Sequence, residues 1–272
     1  MSFELAPEEF ARARGAFEPM SHNLAVESII RGHTPGIVYV DSRLEPSSAL
    51  TWFKGRVFLS GDPGSQPFRM GVSEILSGPY RETIIRQGGT GFVIYYHPES
   101  WADYLDEMLP GTSHTRSTRL YYHLYASDKK WDVSPPEGYA LLPVDSGLLE
   151  RTDLTGLDGV VEEMQSERLT VEAFLERSFG YCVVHEGAVV GWCMSEYNAG
   201  GRCEMGIGTA EEHRRKGLAT LSGSAVIREA VSRRITDIGW HCYERNAASV
   251  ATADRLGFTR VLEYPVAWVD LG

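Results

Sequence analysis

The sequence predicts a mixed α/β fold in two halves. Two observations carry this. Short runs rich in β-branched and aromatic residues alternate with stretches that begin on helix-capping residues. A polar segment with adjacent prolines, Ser127 to Ala140, then divides residues 1–135 from residues 136–272. At 43% apolar over 272 residues, the chain can bury a core in each half, so disorder is not expected.

In the first half, Leu24 to Ile30 reads as a helix with Ser21 as its cap, and GIVYV, RVFLS and GFVIYY read as strands. PESWADYLDEML opens on proline and acidic residues, which suits a helix start; STRLYYHLYA reads as a further strand. GDPGSQP (residues 61–67) and GGTG (residues 88–91) read as turns. GGTG lacks the Lys-Ser/Thr that a phosphate loop needs, so it is assigned no chemistry.

The second half is more explicit. YALLPV is a short strand, Leu148 to Glu167 a helix, and VEAFLERSF a helix capped by Thr170. YCVVH and AVVGWCMSEY flank the hairpin signal Glu186-Gly187. Asn198 to Gly201 turns the chain into RCEMGIGT. A helix from about Arg215 to Arg233 follows, then the strand ITDIGWHCY, a helix from Ala247 to Leu256 and a terminal strand region from Phe258 to Val269.

Chemistry concentrates at EEHRRKGLAT, residues 211–220. A helix start offers unpaired N–H groups and a positive dipole to an anion. Gly217 removes the Cβ that would keep a phosphate from that backbone, and Arg214, Arg215 and Lys216 add charge. Just before it, Gly206 and Gly208 weaken a strand interior, which predicts a bulge or the close approach of another backbone or a ligand. A strand opened there can bond an extended, amide-bearing molecule. A diphosphate joined to a peptide-like arm describes coenzyme A. Dinucleotide and P-loop spacings are both missing.

Arg214-x-x-Gly217-x-Ala219 after a strand ending IGT resembles the coenzyme-A-binding motif of the GNAT superfamily of acyl-CoA N-acyltransferases. The strand carrying Trp240, then Asn246-Ala-Ala-Ser249 and Leu256-Gly257-Phe258, resembles the strand-helix-strand that comes next in that family. The match covers about residues 138–272. EMGIGT, RRKGLAT and N-x-x-S closing in LGF are most similar to a bacterial subgroup that includes zwittermicin-resistance acetyltransferases. The resemblance implies a C-terminal GNAT-type mixed, splayed central sheet flanked by helices, and an N-terminal α/β domain similar to a degenerate copy of the same fold.

It also implies acetyl-CoA as co-substrate, held by Met205, Ile207, Gly208, Thr209, Arg214, Arg215, Lys216, Gly217, Leu218, Ala219, Thr220, Asn246 and Ser249. A backbone N–H between Met205 and Ile207 would donate to the oxyanion. Glu204 is the first candidate for the base, with Glu196 and His241 behind it. Where many members carry a tyrosine that protonates the leaving thiolate, this chain has Ala253; Ser249, Tyr243, Tyr264 or water would serve instead. Trp240 reads as core, and Asn246 equally as a helix cap.

The expected activity is transfer of an acetyl group to an amine of a small molecule, antibiotic-like compound or peptide. A non-catalytic acyl-CoA sensor is the alternative, and an interaction or dimerisation role for the N-terminal half a third. The net charge of −11 argues against sequence-independent nucleic-acid binding and is compatible with a cationic or amine substrate. No apolar run is long enough for a membrane span, and the acidic N-terminus lacks a secretory layout, so a cytoplasmic location is expected. Cys182, Cys193, Cys203 and Cys242 form no CxxC pair and read as buried apolar residues; no metal is expected. Oligomeric state stays open, a homodimer included.

Overall fold

A computed structural model describes residues 2–126 and 131–272; residues 127–130, the start of the expected linker, lie outside the described residues. By its contacts the chain divides into two units, residues 1–119 with 263–272, and residues 120–262. The sequence boundary was set at residues 135 and 136, so the units differ from the expected halves in two stretches of chain.

The first unit contains β1 (Phe3–Glu4), α1 (Arg14–Phe17), α2 (Leu24–Ile30), β2 (Ile37–Val40), β3 (Ser48–Phe53), β4 (Arg56–Gly61), α3 (Gln66–Ser77), α4 (Pro79–Arg86), β5 (Gly91–His97) and α5 (Leu105–Met108). Strand β6 (His114–Tyr125) begins in this unit. Its strand order is β1-β2-β3-β4-β5, completed by the C-terminal strand β12 (Thr259–Asp270), whose residues 266–270 pair antiparallel with β5. Helix α2 has the expected span, although its cap is Asn23 rather than Ser21. Helix α3 overlaps the expected turn at residues 61–67 only at its first two residues and has no counterpart in the sequence reading beyond them. Ser65 caps it, its Oγ accepting from Phe68 N–H, and Phe68, Val72, Ile75 and Leu76 bury at helical spacing. They join Leu50, Leu59 and Trp101 in the unit's core.

The second unit takes Leu120–Tyr125 of β6, then β7 (Tyr139–Pro143), α6 (Ser146–Leu149), α7 (Leu157–Glu167), α8 (Val171–Arg177), β8 (Gly180–His185), β9 (Ala188–Ala199), β10 (Arg202–Thr209), α9 (Leu218–Ser232), β11 (Asp237–Tyr243) and α10 (Ala247–Leu256). The strand order is β6-β11-β10-β9-β8-β7. Strands β7 to β10 pair antiparallel, and β10 pairs β11 in parallel. The single helix expected over Leu148–Glu167 is broken: Gly156 adopts φ 80°, and Thr155 bridges to Ala188. Glu186 and Gly187, at φ 47° and 77°, make the expected tight hairpin.

Side chains alternate across the sheet. Cys203 and Met205 point into a core with Val226, Ile227, Trp240, Ala253 and Leu256, on the side of α9 and α10. Cys182 and Met194 point the other way, to Val160, Met164 and Phe174 of α7 and α8. Each large buried side chain contributes roughly 1.5–3 kcal/mol. Trp131 belongs to the first of these cores, and its Nε1 donates to Leu256 O at 3.2 Å. All four cysteines are free and buried.

Between the pairs Arg202↔Ala199 and Glu204↔Glu196 the register shifts, so Tyr197 and Asn198 of β9 face Cys203 alone. Tyr197 adopts φ 51° at this bulge, and its N–H donates to the fully buried Glu167 at the end of α7. Ser178 Oγ donates to the other oxygen of Glu167 at 2.8 Å, and Arg168 Nη2 lies 3.7 Å away. This carboxylate ties the α7–α8 corner to the bulge. Glu167→Ala is expected to destabilise the protein by about 3 kcal/mol or more, because it removes a buried carboxylate that accepts from Tyr197 N–H and the Ser178 hydroxyl and stands beside the Arg168 guanidinium. Urea unfolding of parent and variant measures it.

Candidate active site

Strand β10 is bound along one edge and bare along much of the other. Towards β9 its ladder is regular from Glu204 to Thr209. Towards β11 the parallel register runs only from Arg202↔Asp237 to Glu204↔Gly239. Beyond Glu204 the two strands part, and the backbone of residues 205–209 presents N–H and C=O groups that β11 does not take up. Such groups need a partner when covered, which makes this edge a template for an extended amide chain.

The chain leaves β10 into a short turn, Glu211–His213, and then the loop Arg214 to Gly217, all four of whose residues are exposed. Helix α9 begins at Leu218, later than the expected Arg215, so the basic residues precede the helix. Gly217 is its cap at φ 79°, with nothing within 4 Å of where a Cβ would stand. Glycine is therefore required by backbone conformation, and the space beside it is open. Arg214 Nε donates to Thr209 O at 3.3 Å. Lys216 Nζ donates to Tyr139 Oη at 3.0 Å, and His213 Nδ1 meets the same hydroxyl at 3.0 Å. The Tyr139 ring stacks on His185 at 4.5 Å. Strand β7 thus braces both ends of the basic loop through one phenol, a role invisible in the sequence.

Three glycines shape the sheet face that carries Glu204. A Cβ on Gly206 would lie 1.8 Å from Glu196 Oε1, and one on Gly208 would lie 2.7 Å from the Trp192 indole. A Cβ on Gly239 would lie 3.1 Å from both Glu204 Cγ and Tyr121 Cε2. The β9–β10 register is unbroken at Gly206 and Gly208; the bulge lies earlier, opposite Cys203. No bulge falls at these glycines, and the space they leave admits side chains from the next strand.

Glu204 is 7% exposed and its Oε1 lies 3.3 Å from His241 Nε2. The His241 ring stacks on Tyr121 of β6 at 4.8 Å. Burial, reinforced by the Glu204 charge, pushes the Tyr121 phenol up to about 12, so it stays protonated near neutral pH. Glu196 stands opposite Glu204 on β9. The structure therefore brings Glu204, Glu196 and His241 to one face. Tyr121 was read only as part of a strand, since nothing local reveals that β6 lies beside β11.

Ser249 and Tyr243 separate. Ser249 Oγ accepts from Trp240 Nε1 at 3.1 Å, on the α10 side of the sheet. Tyr243 carries Arg245 over its ring at 5.2 Å. Asn246 caps α10, its Oδ1 accepting from Ser249 N–H at 3.1 Å. Ala253, one turn beyond Ser249, is fully buried, and Trp240 is core as expected. Tyr264 is buried in the first unit, 4.8 Å from His22. Burial raises the Cys182 thiol to about 12 and Cys203 further, so neither offers a nucleophilic thiolate near neutral pH. Among the described residues no group of His, Cys, Asp and Glu side chains is placed to hold a metal, and no helix is long and apolar enough to cross a membrane.

Gly206 and Gly208 should respond differently to alanine. At Gly208 the added methyl meets a rigid indole, with an overpacking cost of about 1–3 kcal/mol. At Gly206 it meets the far end of a glutamate that can swing away. Chemical denaturation should show a markedly lower midpoint for Gly208→Ala than for Gly206→Ala.

Comparison with known proteins bears on the family and the fold. The profile described as GNAT acetyltransferase matches residues 15–267. An uncharacterized N-acetyltransferase of Bacillus subtilis, YdfB, is 26% identical over 264 residues, 97% of each chain. A GCN5-related N-acetyltransferase-like protein from Streptococcus suis shares the fold at TM-score 0.69 and 22% identity, over 96% of this chain and 98% of that one. A tandem GNAT protein from the clavulanic acid biosynthesis pathway does so at TM-score 0.59 and 16% identity, over 100% and 98%. The chain belongs to the GNAT acetyltransferase family.

Proposed function

We propose that the protein moves an acetyl group from acetyl-CoA to the amine of a small molecule, antibiotic-like compound or peptide by direct attack on the thioester. The observation that carries this is the β10 edge left bare beyond Glu204, ending at an exposed basic loop. Residues 205–209 would bond the pantetheine amides, and the loop Arg214–Gly217 with the start of α9 would hold the diphosphate. The similarity of EMGIGT and RRKGLAT to the zwittermicin-resistance subgroup supports an antibiotic-like acceptor. The first unit reads as a degenerate copy of the fold, supported by the whole-chain likeness to a tandem GNAT protein.

Bound acetyl-CoA supplies the activated acyl carbon. A backbone N–H between Met205 and Ile207 would stabilise the oxyanion. Glu204, steadied by His241, would take the proton an amine must lose before it attacks, directly or through water. For an amine of pKa near 10 that loss costs about 4 kcal/mol at pH 7. The Ser249 hydroxyl, which accepts from Trp240 and retains its own hydrogen to donate, would protonate the departing thiolate. Protonated, buried cysteines favour direct attack over an acetyl-cysteine intermediate.

Calorimetric titration with acetyl-CoA tests the cofactor half of this reading. The parent should bind at micromolar concentrations. Gly217→Glu should bind undetectably, and Gly217→Ala, which carries the same backbone strain without the charge, should bind more weakly but measurably. Tyr139→Phe, losing the brace on the loop, should weaken binding about threefold to tenfold. No binding by a folded parent would contradict the proposal. For the chemical half, Glu204→Gln should lower kcat by roughly 100-fold or more while acetyl-CoA affinity holds. An unchanged kcat would remove Glu204 from the reaction.

A further inference from the structure

Two carboxylates share the face beside the open strand, and they are not equivalent. Glu204 is buried and engaged with His241, at the last position of β10 paired with β11. Glu196 is only half-buried, and its carboxylate reaches forward to lie over Gly206, within the stretch that has parted from β11. Gly206 lies between Met205 and Ile207, the residues whose backbone would receive the thioester carbonyl. Of the two, Glu196 is the one whose carboxylate lies over that stretch of backbone. The Trp192 indole covers Gly208, two residues further on the same face, and its Cζ3 would lie 3.5 Å from a Cβ on Gly206.

We propose that Glu196 is the specificity-determining carboxylate that docks the acceptor's ammonium over the thioester, with Trp192 packing against the carbon chain that follows. This rests on the acetyl-transfer reading and names its acceptor class: a primary alkyl or aralkyl amine arriving as the ammonium ion. Glu196 holds the cation and Glu204 removes one of its protons. The freed nitrogen forms the C–N bond and the C–S bond breaks. The nitrogen then loses a second proton as the amide forms, and the departing sulfur gains one. An indole beside the carboxylate adds apolar contact and attraction for a cation. Gly206 is kept bare so that the Glu196 side chain can cross β10; a methyl there leaves the carboxylate in the protein but moves it off the site.

The test is calorimetric titration of the coenzyme-A-loaded protein with 1,4-diaminobutane, benzylamine and glycinamide, using the parent, Glu196→Gln, Glu204→Gln and Gly206→Ala. At least one amine should bind the parent. Glu196→Gln should weaken that binding roughly tenfold or more, and Gly206→Ala should follow it in part. Glu204→Gln should bind the amine within about threefold of the parent yet turn over far more slowly with acetyl-CoA, a split that a merely structural Glu196 would not produce. Three results would overturn the assignment: no amine binds the loaded parent, Glu196→Gln binds as the parent does, or the roles of the two glutamates are exchanged. Failure of coenzyme A itself to bind would instead refute the underlying acetyl-transfer reading, and the same instrument separates the two.

Discussion

The structure turns on where one ladder of backbone hydrogen bonds stops. A parallel pair of strands normally continues for the length of both, because each abandoned N–H and C=O must find another partner. Here β10 and β11 part after Glu204, although β10 continues to Thr209 and β11 to Tyr243. Strand β10 survives the loss because β9 holds it along its other edge, and because Met205 is anchored in the core beneath α9 and α10. The exposed edge and the loop that follows are consecutive in sequence. A ligand with amides at one end and phosphates at the other can therefore be read by one continuous segment.

A second constraint shapes what faces that edge. Polar side chains can crowd onto a β-sheet face only if some neighbours yield space. Gly206, Gly208 and Gly239 yield it to Glu196, Trp192, Glu204 and Tyr121. Side chains from β9 thus lie over one face of β10, while its edge towards β11 beyond Glu204 stays without a strand partner. Stability is supplied elsewhere, by the apolar layers of α9–α10 and α7–α8 and by Glu167, which fixes the α7–α8 corner to the β9 bulge.

Much of the second unit was legible because its signals are local. RCEMGIGT is a strand over the span expected, Ala247–Leu256 is a helix over the span expected, and Glu186-Gly187 turns as a two-residue hairpin must. The basic loop announced itself by charge and glycine together. Other features depend on partners far along the chain. Helix α3 was missed because its opening, GDPGSQP, is dense in turn residues, and the helix from Leu148 was drawn too long because the bridge from Thr155 to Ala188 leaves no local trace. The glycines of β10 were recognised as meaningful, but their neighbours Glu196 and Trp192 belong to β9. Tyr121 and Tyr139 meet their partners only after β6 and β7 take their places in the sheet order.

The central claim is that the bare edge of β10 receives the arm of acetyl-CoA. Residue-resolved amide hydrogen exchange, with and without acetyl-CoA, tests it most directly. The account predicts that ligand slows exchange within residues 205–209 and 214–220, while the antiparallel strands β7 and β8 stay unchanged. Protection appearing elsewhere in the chain, with residues 205–209 exchanging as before, would contradict it.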